Sequence, residues 1–174
     1  MILECGCPSE YPAWHNEDID LGGTSVHIMS ISTLLHMPVG YELYKGRQQR
    51  SIDELQLNEP WPGLILTRTG LLRGRMIHLL EDANSLSRHV KRLPYPFNVR
   101  AFLHQGNLTT ARKSISDMQM SLFDTGHRPK ELYLCYLTCP RCSEKRGGEK
   151  ILLLRRWEKS KRLAGRLQSQ KAKE

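Results

Sequence analysis

The chain has few aromatic residues, 7% of 174, and only short apolar runs, such as Ile151–Leu154 and Leu132–Leu137. A bilayer-spanning helix needs roughly 20 consecutive apolar residues, so no membrane span is expected. Met1, Ile2, Leu3 and Glu4 form neither a basic nor an apolar leader region, and the expected setting is the cytoplasm. Phosphate-cradling and dinucleotide glycine patterns are absent, as are a Gly-x-Ser-x-Gly nucleophile elbow and a His-Glu-x-x-His helix. Those absences remove the most readily recognised nucleotide-binding, serine hydrolase and metalloprotease classes.

What is present is a charge imbalance with a definite address. Lysine and arginine number 26 against 18 aspartate and glutamate, giving a net charge of +8. Residues 145–174 hold eleven bases and three acids, which accounts for the whole excess. A neutral body with a basic end is expected, and charge concentrated in one segment favours docking on an anionic partner.

Hydrophobic periodicity divides the chain. Residues 1–23 are punctuated by Pro8, Pro12, Gly22 and Gly23 and read as irregular. Thr24–Ile31 is β-branched and fits a strand; Tyr41, Tyr44, Ile52 and Leu55 predict a helix over about 39–56. Leu64–Arg68 and Arg75–Leu80 read as paired strands around Gly70 and Gly74, and Leu86, Val90 and Leu93 predict a short helix ended by Pro94. Phe97–His104 reads as a strand. Asn107 then caps a helix with the apolar face Ala111, Ile115, Met118 and Leu122, closed by Gly126. Leu132–Thr138 and Lys150–Trp157 read as strands joined by the loop 139–149. The expected fold is a single α+β domain over residues 1–157, with a mostly antiparallel sheet of about five to six strands and three helices. Residues 158–174 are expected to form a basic helical tail. No internal repeat is visible in the sequence.

The five cysteines carry the strongest chemical signal. Cys139-Pro-Arg-Cys142 leaves a strand in the manner of a zinc knuckle, which supplies two thiolates; a tetrahedral ion needs four. Cys5-Gly-Cys7 is the nearest further pair, and its glycine lets the chain curl back. The expected metal ligands are therefore Cys5, Cys7, Cys139 and Cys142, with zinc as the ion and an iron–sulfur cluster as the alternative. Cys135, inside an apolar strand, is expected to be a core residue.

An enzymatic alternative rests on His15, Asp18 and Asp20, which offer imidazole and carboxylate donors in one stretch, or on a Cys139/Cys142 dithiol. His27 reads as a packed, hydrogen-bonded histidine, and Trp14 and Trp61 as staples that hold loops to the core. Arg155, Arg156, Lys159, Lys161, Arg162 and Arg166 surround Trp157, the composition of a surface that neutralises phosphates and stacks on bases. Arg68, Arg73 and Arg75 form a second basic stretch. The expected function is that of a zinc-stapled binding protein docking through its basic end on nucleic acid or an acidic protein surface.

Overall fold

The computed structural model describes residues 1–171. Its sheet has nine strands, more than the five to six expected. They are β1 Glu17–Asp20, β2 Ser25–Leu34, β3 Met37–Pro38, β4 Ile65–Arg68, β5 Arg73–Leu79, β6 Val90–Arg92, β7 Asn98–Gln105, β8 His127–Tyr136 and β9 Lys150–Lys159. Four α-helices accompany them: α1 Tyr41–Glu54, α2 Ala111–Asp124, the single turn α3 Pro140–Ser143, and α4 Lys161–Lys171. Every ladder is antiparallel.

The spatial order, β1-β7-β9-β8-β4-β5-β2-β3 with β6 beside β2, contains a repeat that the sequence hides. The unit β2-α1-β4-β5 pairs as β2-β5-β4, and the unit β7-α2-β8-β9 pairs as β7-β9-β8. The two β-α-β-β units meet at β4 and β8, where the ladder consists of one residue pair, Thr67 with Leu134.

Strand alternation sorts the core onto two faces. Leu152 and Leu154 of β9 join Leu66, Ile77, Val99 and Val26 in the large cluster on one face. Ile151 and Leu153 point the other way, into a cluster with Met118 of α2. The first helix sits over a smaller cluster of Ile31, Ile65 and Met76, flanked by Tyr41 and Tyr44.

The predicted helix around Leu86–Leu93 is absent. Leu86 is wholly exposed, and residues 90–92 instead pair with Ser25–His27 as β6, because the free edge of β2 offers their backbone groups a ladder. The N-terminal stretch is also less irregular than expected: β1 pairs with β7, Glu17 opposite Ala101 through Asp20 opposite Asn98. Asn107 stands in the turn that leads into α2 and not at its N-cap, which is Thr110; its side-chain carbonyl accepts the N–H groups of Thr109 and Thr110 at 3.0 and 3.2 Å and its backbone carbonyl accepts the Ala111 N–H at 3.1 Å. The expected basic tail is helical from Lys161 to Lys171, and its end, 172–174, lies outside the described residues.

Candidate functional site

The N-terminal residues turn tightly, with Leu3 N–H donating to the Cys7 carbonyl at 2.9 Å and Gly6 N–H to the Leu3 carbonyl at 2.7 Å. Gly6 adopts φ 79°, a conformation glycine reaches without a Cβ penalty, and so Cys5 and Cys7 are presented from one loop. The other pair is built by α3. Cys139 stands just before the helix and Pro140 opens it; Cys139 Sγ accepts the Cys142 N–H, while the Cys139 N–H donates to Cys142 Sγ at 3.3 Å.

These two devices bring all four sulfurs within 4.8 Å of one another. The Cys139 and Cys142 sulfurs lie 3.9 Å apart. Around one tetrahedral ion with Zn–S bonds of about 2.3 Å, sulfur–sulfur edges are about 3.8 Å, so the set fits a single ion. A cluster with several irons and its own sulfides needs its thiolates further apart. Four close cysteines can therefore hold a metal ion, and among the described residues no other group of three or more His, Cys, Asp or Glu side chains converges in this way.

Burial, followed by the neighbouring thiols Cys5, Cys139 and Cys142, pushes the Cys7 thiol well above the ordinary cysteine range. Burial also opposes ionisation of Cys139, but N–H groups of Cys142 and Arg141 and the thiols of Cys5 and Cys7 bring it down to about 7. One thiolate thus starts the set, and a cation among the sulfurs would draw off the remaining protons.

Arg146 is a second clamp that sequence reasoning overlooked. Its guanidinium donates to the carbonyls of Pro8 at 2.8 Å, Leu137 at 2.9 Å and Ser9 at 3.1 Å, tying the N-terminal segment to the β8–β9 connection. A base close behind a Cys-x-x-Cys turn was legible, but two of its carbonyl partners, Pro8 and Ser9, stand at the far end of the sequence.

Beside the cysteines a cleft of about 410 Å³ opens where the two units meet. Tyr41, Glu42 and Lys45 of α1 form one wall, Tyr136 and Thr138 stand at the end of β8, and Cys5, Cys7 and Cys139 contribute to the rim. Tyr41 and Tyr136 meet edge to face, 5.9 Å between centroids. Burial raises the pKa of both hydroxyls, so they remain protonated donors at neutral pH; the Tyr41 hydroxyl is already 3.3 Å from that of Thr67.

The other expected residues scatter. His15 accepts the Leu103 N–H at 3.2 Å, Asp18 binds the Arg100 guanidinium at 2.6 and 2.8 Å, and Asp20 accepts N–H groups of Gly22 and Phe97, each at 2.8 Å. Each side chain secures β1 or its flanks, and the three form no common donor set. Trp157 is only 8% exposed; His127 covers its ring at 3.9 Å between centroids and its indole N–H donates to Asp18, so it offers no free stacking face. Arg155 donates to the Lys130 carbonyl and Gln119, and Arg156 pairs with Glu131 and Glu158. Lys159, Lys161, Arg162 and Arg166 remain exposed. The Leu163 N–H reaches Ser160, and Gly126 packs against Ala164, so α4 is seated on the body rather than detached.

The chain belongs to the bacterial hydrolase family, whose model matches residues 3–156. No curated protein matches it. The crystal structure of the EcmrR C-terminal domain is similar in fold, with a TM-score of 0.56 at 11% identity, covering 83% of this chain and 97% of that one. The cryo-EM structure of an EcmrR–DNA complex in EcmrR-RPo gives a TM-score of 0.54 at 10% identity and covers 83% of this chain and 57% of that chain. Identities this low speak for the fold alone. Among the described residues no helix is long and apolar enough to cross a membrane.

Proposed function

We propose that the protein binds a small, mainly apolar organic molecule in the cleft between its two β-α-β-β units and hydrolyses it, with a zinc ion on Cys5, Cys7, Cys139 and Cys142 bracing one end of the cleft. The cleft itself is the observation that carries this reading. Two tyrosines supply apolar surface and retained hydroxyl protons, and Glu42 and Lys45 bring opposite charges to the same wall. Membership of a hydrolase family supports the choice of reaction. A four-thiolate ion is coordinatively closed, so the metal has a structural part, and in a reducing cytoplasm the thiols stay free for it.

In this reading Glu42 accepts a proton from the water whose oxygen bonds the acyl carbon, Tyr136 donates a hydrogen bond to the carbonyl oxygen on which charge develops, and as the acyl C–O or C–N bond breaks the proton on Glu42 passes to the departing alcohol or amine. Protein purified under reducing conditions should carry one zinc per chain. A panel of aromatic and aliphatic esters and amides, followed by turnover and by ligand-induced thermal shift, tests the site. Glu42→Gln should remove turnover while leaving binding, and Tyr136→Ala should weaken binding about tenfold or more. Turnover or binding that ignores both changes sinks the cleft reading, and protein free of zinc sinks the metal assignment.

A second reading follows from the exposure of Lys159, Lys161, Arg162 and Arg166 on and beside α4: this segment docks on nucleic acid or an acidic protein surface. Affinity for a single-stranded oligonucleotide should then fall steeply with salt and weaken on Lys161→Ala, Arg162→Ala and Arg166→Ala together. Salt-independent binding, or none, ends that reading.

A further inference from the structure

The antiparallel registers bring the β2–β3 turn and the β4–β5 turn to the same end of the sheet. They touch there: Thr33 N–H donates to the Leu72 carbonyl at 3.1 Å and Leu35 N–H to the Leu71 carbonyl at 2.9 Å. The side chains at these tips are apolar and face water. Leu35 is 70% exposed, Leu72 66% and Met37 65%, and Leu34, Leu71 and Val39 continue the patch. Scattered exposed leucines are ordinary, but six contiguous apolar residues on two adjoining turns are not.

The backbone adds an independent sign. Leu35 and His36 both lie in the left-handed region, at φ 49° and 66°, where a tight hairpin turn favours asparagine and glycine. A leucine there is disfavoured by about 1 kcal/mol and gains nothing from burial in the body. Neither local conformation nor packing accounts for it.

The surroundings select the partner. Arg73 and Arg75 are exposed and have no acidic partner among the described residues. Between the turns and β8 lies an open depression of about 490 Å³, lined by His36, Thr69, Leu132 and Leu134 and by Arg68, Lys130 and Arg155, of which Arg68 pairs with Glu131 and Lys130 with Glu158. A second copy of the chain would bring like charges together across the patch. Apolar tips with an arginine rim instead match a bilayer surface whose acyl chains accept the leucines and whose headgroups carry negative charge.

We infer that the paired β2–β3 and β4–β5 turns form a docking surface for an anionic phospholipid bilayer, with Leu35, Leu71 and Leu72 entering the acyl boundary and Arg73 and Arg75 meeting headgroup phosphates. The surface adjoins the cleft at Pro38, between Met37 and Val39, but its argument uses none of the cleft's chemistry and stands or falls without it.

Co-sedimentation of the full chain with vesicles of phosphatidylcholine and phosphatidylglycerol, against phosphatidylcholine alone, tests this. Binding is expected to the anionic vesicles and to be about tenfold or more weaker to the neutral ones. Leu35→Ser with Leu72→Ser should reduce it by about tenfold or more, and Arg73→Gln by about fivefold, with circular dichroism and melting temperature unchanged because all three side chains are exposed. The inference is overturned if neither vesicle binds, or if the leucine variant binds as well as the parent. It is overturned equally if neutralising Lys161, Arg162 and Arg166 abolishes binding while the leucine variant retains it, if an oligonucleotide is bound and vesicles are not, or if the leucines instead sustain a dimer in sedimentation velocity.

Discussion

The two β-α-β-β units share a topology and differ in what lies between helix and sheet. In the second unit α2 buries Ala111, Met118 and Leu122, and Met118 packs with Leu134, Ile151 and Leu153 in an aliphatic contact. Its one buried histidine, His104, has both ring nitrogens met by hydroxyls, Ser114 at 3.0 Å and Thr110 at 2.9 Å. In the first unit the helix buries Gln48 and Ile52, and Gln48 donates to the carbonyls of His27 at 3.0 Å and Met76 at 3.2 Å. His27, Ser51, His78 and Glu59 complete a buried polar layer, with the His78 ring paired to Glu59. Gln48 Oε1 and His78 Nε2 here, like Arg155 Nε and Arg156 Nε on β9 of the second unit, are buried with no partner among the described residues. The second unit thus joins helix to sheet by an aliphatic contact with side-chain hydrogen bonds around it, while the first places a polar layer at the centre of that contact, on matched donors and acceptors whose loss is costly. The cleft lies where the two meet, with α1 of the polar unit as a wall.

The comparison is tested hardest by removing what joins the units. They share one ladder pair, while the N-terminal loop bound to Cys139 and Cys142 also wedges against the first unit, where a Cβ on Gly63 would stand 3.3 Å from Ile2 and Pro8. Chelation, or Cys142→Ser, should cost about 4 kcal/mol relative to protein with free metal a thousandfold above its Kd, read from melting curves. An unchanged curve would mean that the units hold together unaided.

Leu122→Ala should cost about 3 kcal/mol with no dependence on pH, because only apolar contacts are lost. A pH-dependent loss there would erase the distinction between the units.

The first unit should respond to acid. Burial, then the nearby His78 and His89, lowers the pKa of His27 from 6.5 to about 4. The unfolded chain therefore binds the proton more readily, and the stabilisation is complete above pH 6.5 and is lost as pH falls through 4. Denaturant titrations should find a loss on the order of 3 kcal/mol across that window. His27→Gln should flatten this part of the profile; an identical acid limb in the variant would locate the titration elsewhere.

The smallest effect concerns how each helix begins. Asn107→Ala should cost about 1 kcal/mol by removing the acceptor for Thr109 and Thr110. The first helix starts from Gly40 at φ 68° with no side-chain cap, so Gly40→Ala tests backbone conformation instead and should also cost about 1 kcal/mol. Equivalent chemistry at the two helix starts would appear as a much smaller loss at Asn107.

Much of the element order was legible because periodicity reports local burial. The helix 39–56 and the strands around Leu66, Ile77, Leu134 and Leu153 follow from it. Gln48 was legible in position, four residues after Tyr44 and four before Ile52, but its polarity masked a place on the buried stripe. The helix read into Leu86–Leu93 failed because an exposed strand edge outcompeted a weak helical spacing. Trp157 was drawn toward the surface by its basic neighbours, although β9 alternation turns Arg156 and Trp157 to opposite faces.

By itself, the sequence determined the strand and helix segments with strong periodicity, the basic end, and two cysteine pairs each capable of supplying half a tetrahedral site. Those properties depend on neighbours a few residues apart. The meeting of the cysteine pairs, the duplicated topology, the cleft at its joint and the exposed turns were decided by the tertiary structure. They depend on contacts between distant segments, where the competition among packing, hydrogen-bond satisfaction and charge pairing is settled only when all elements are in place.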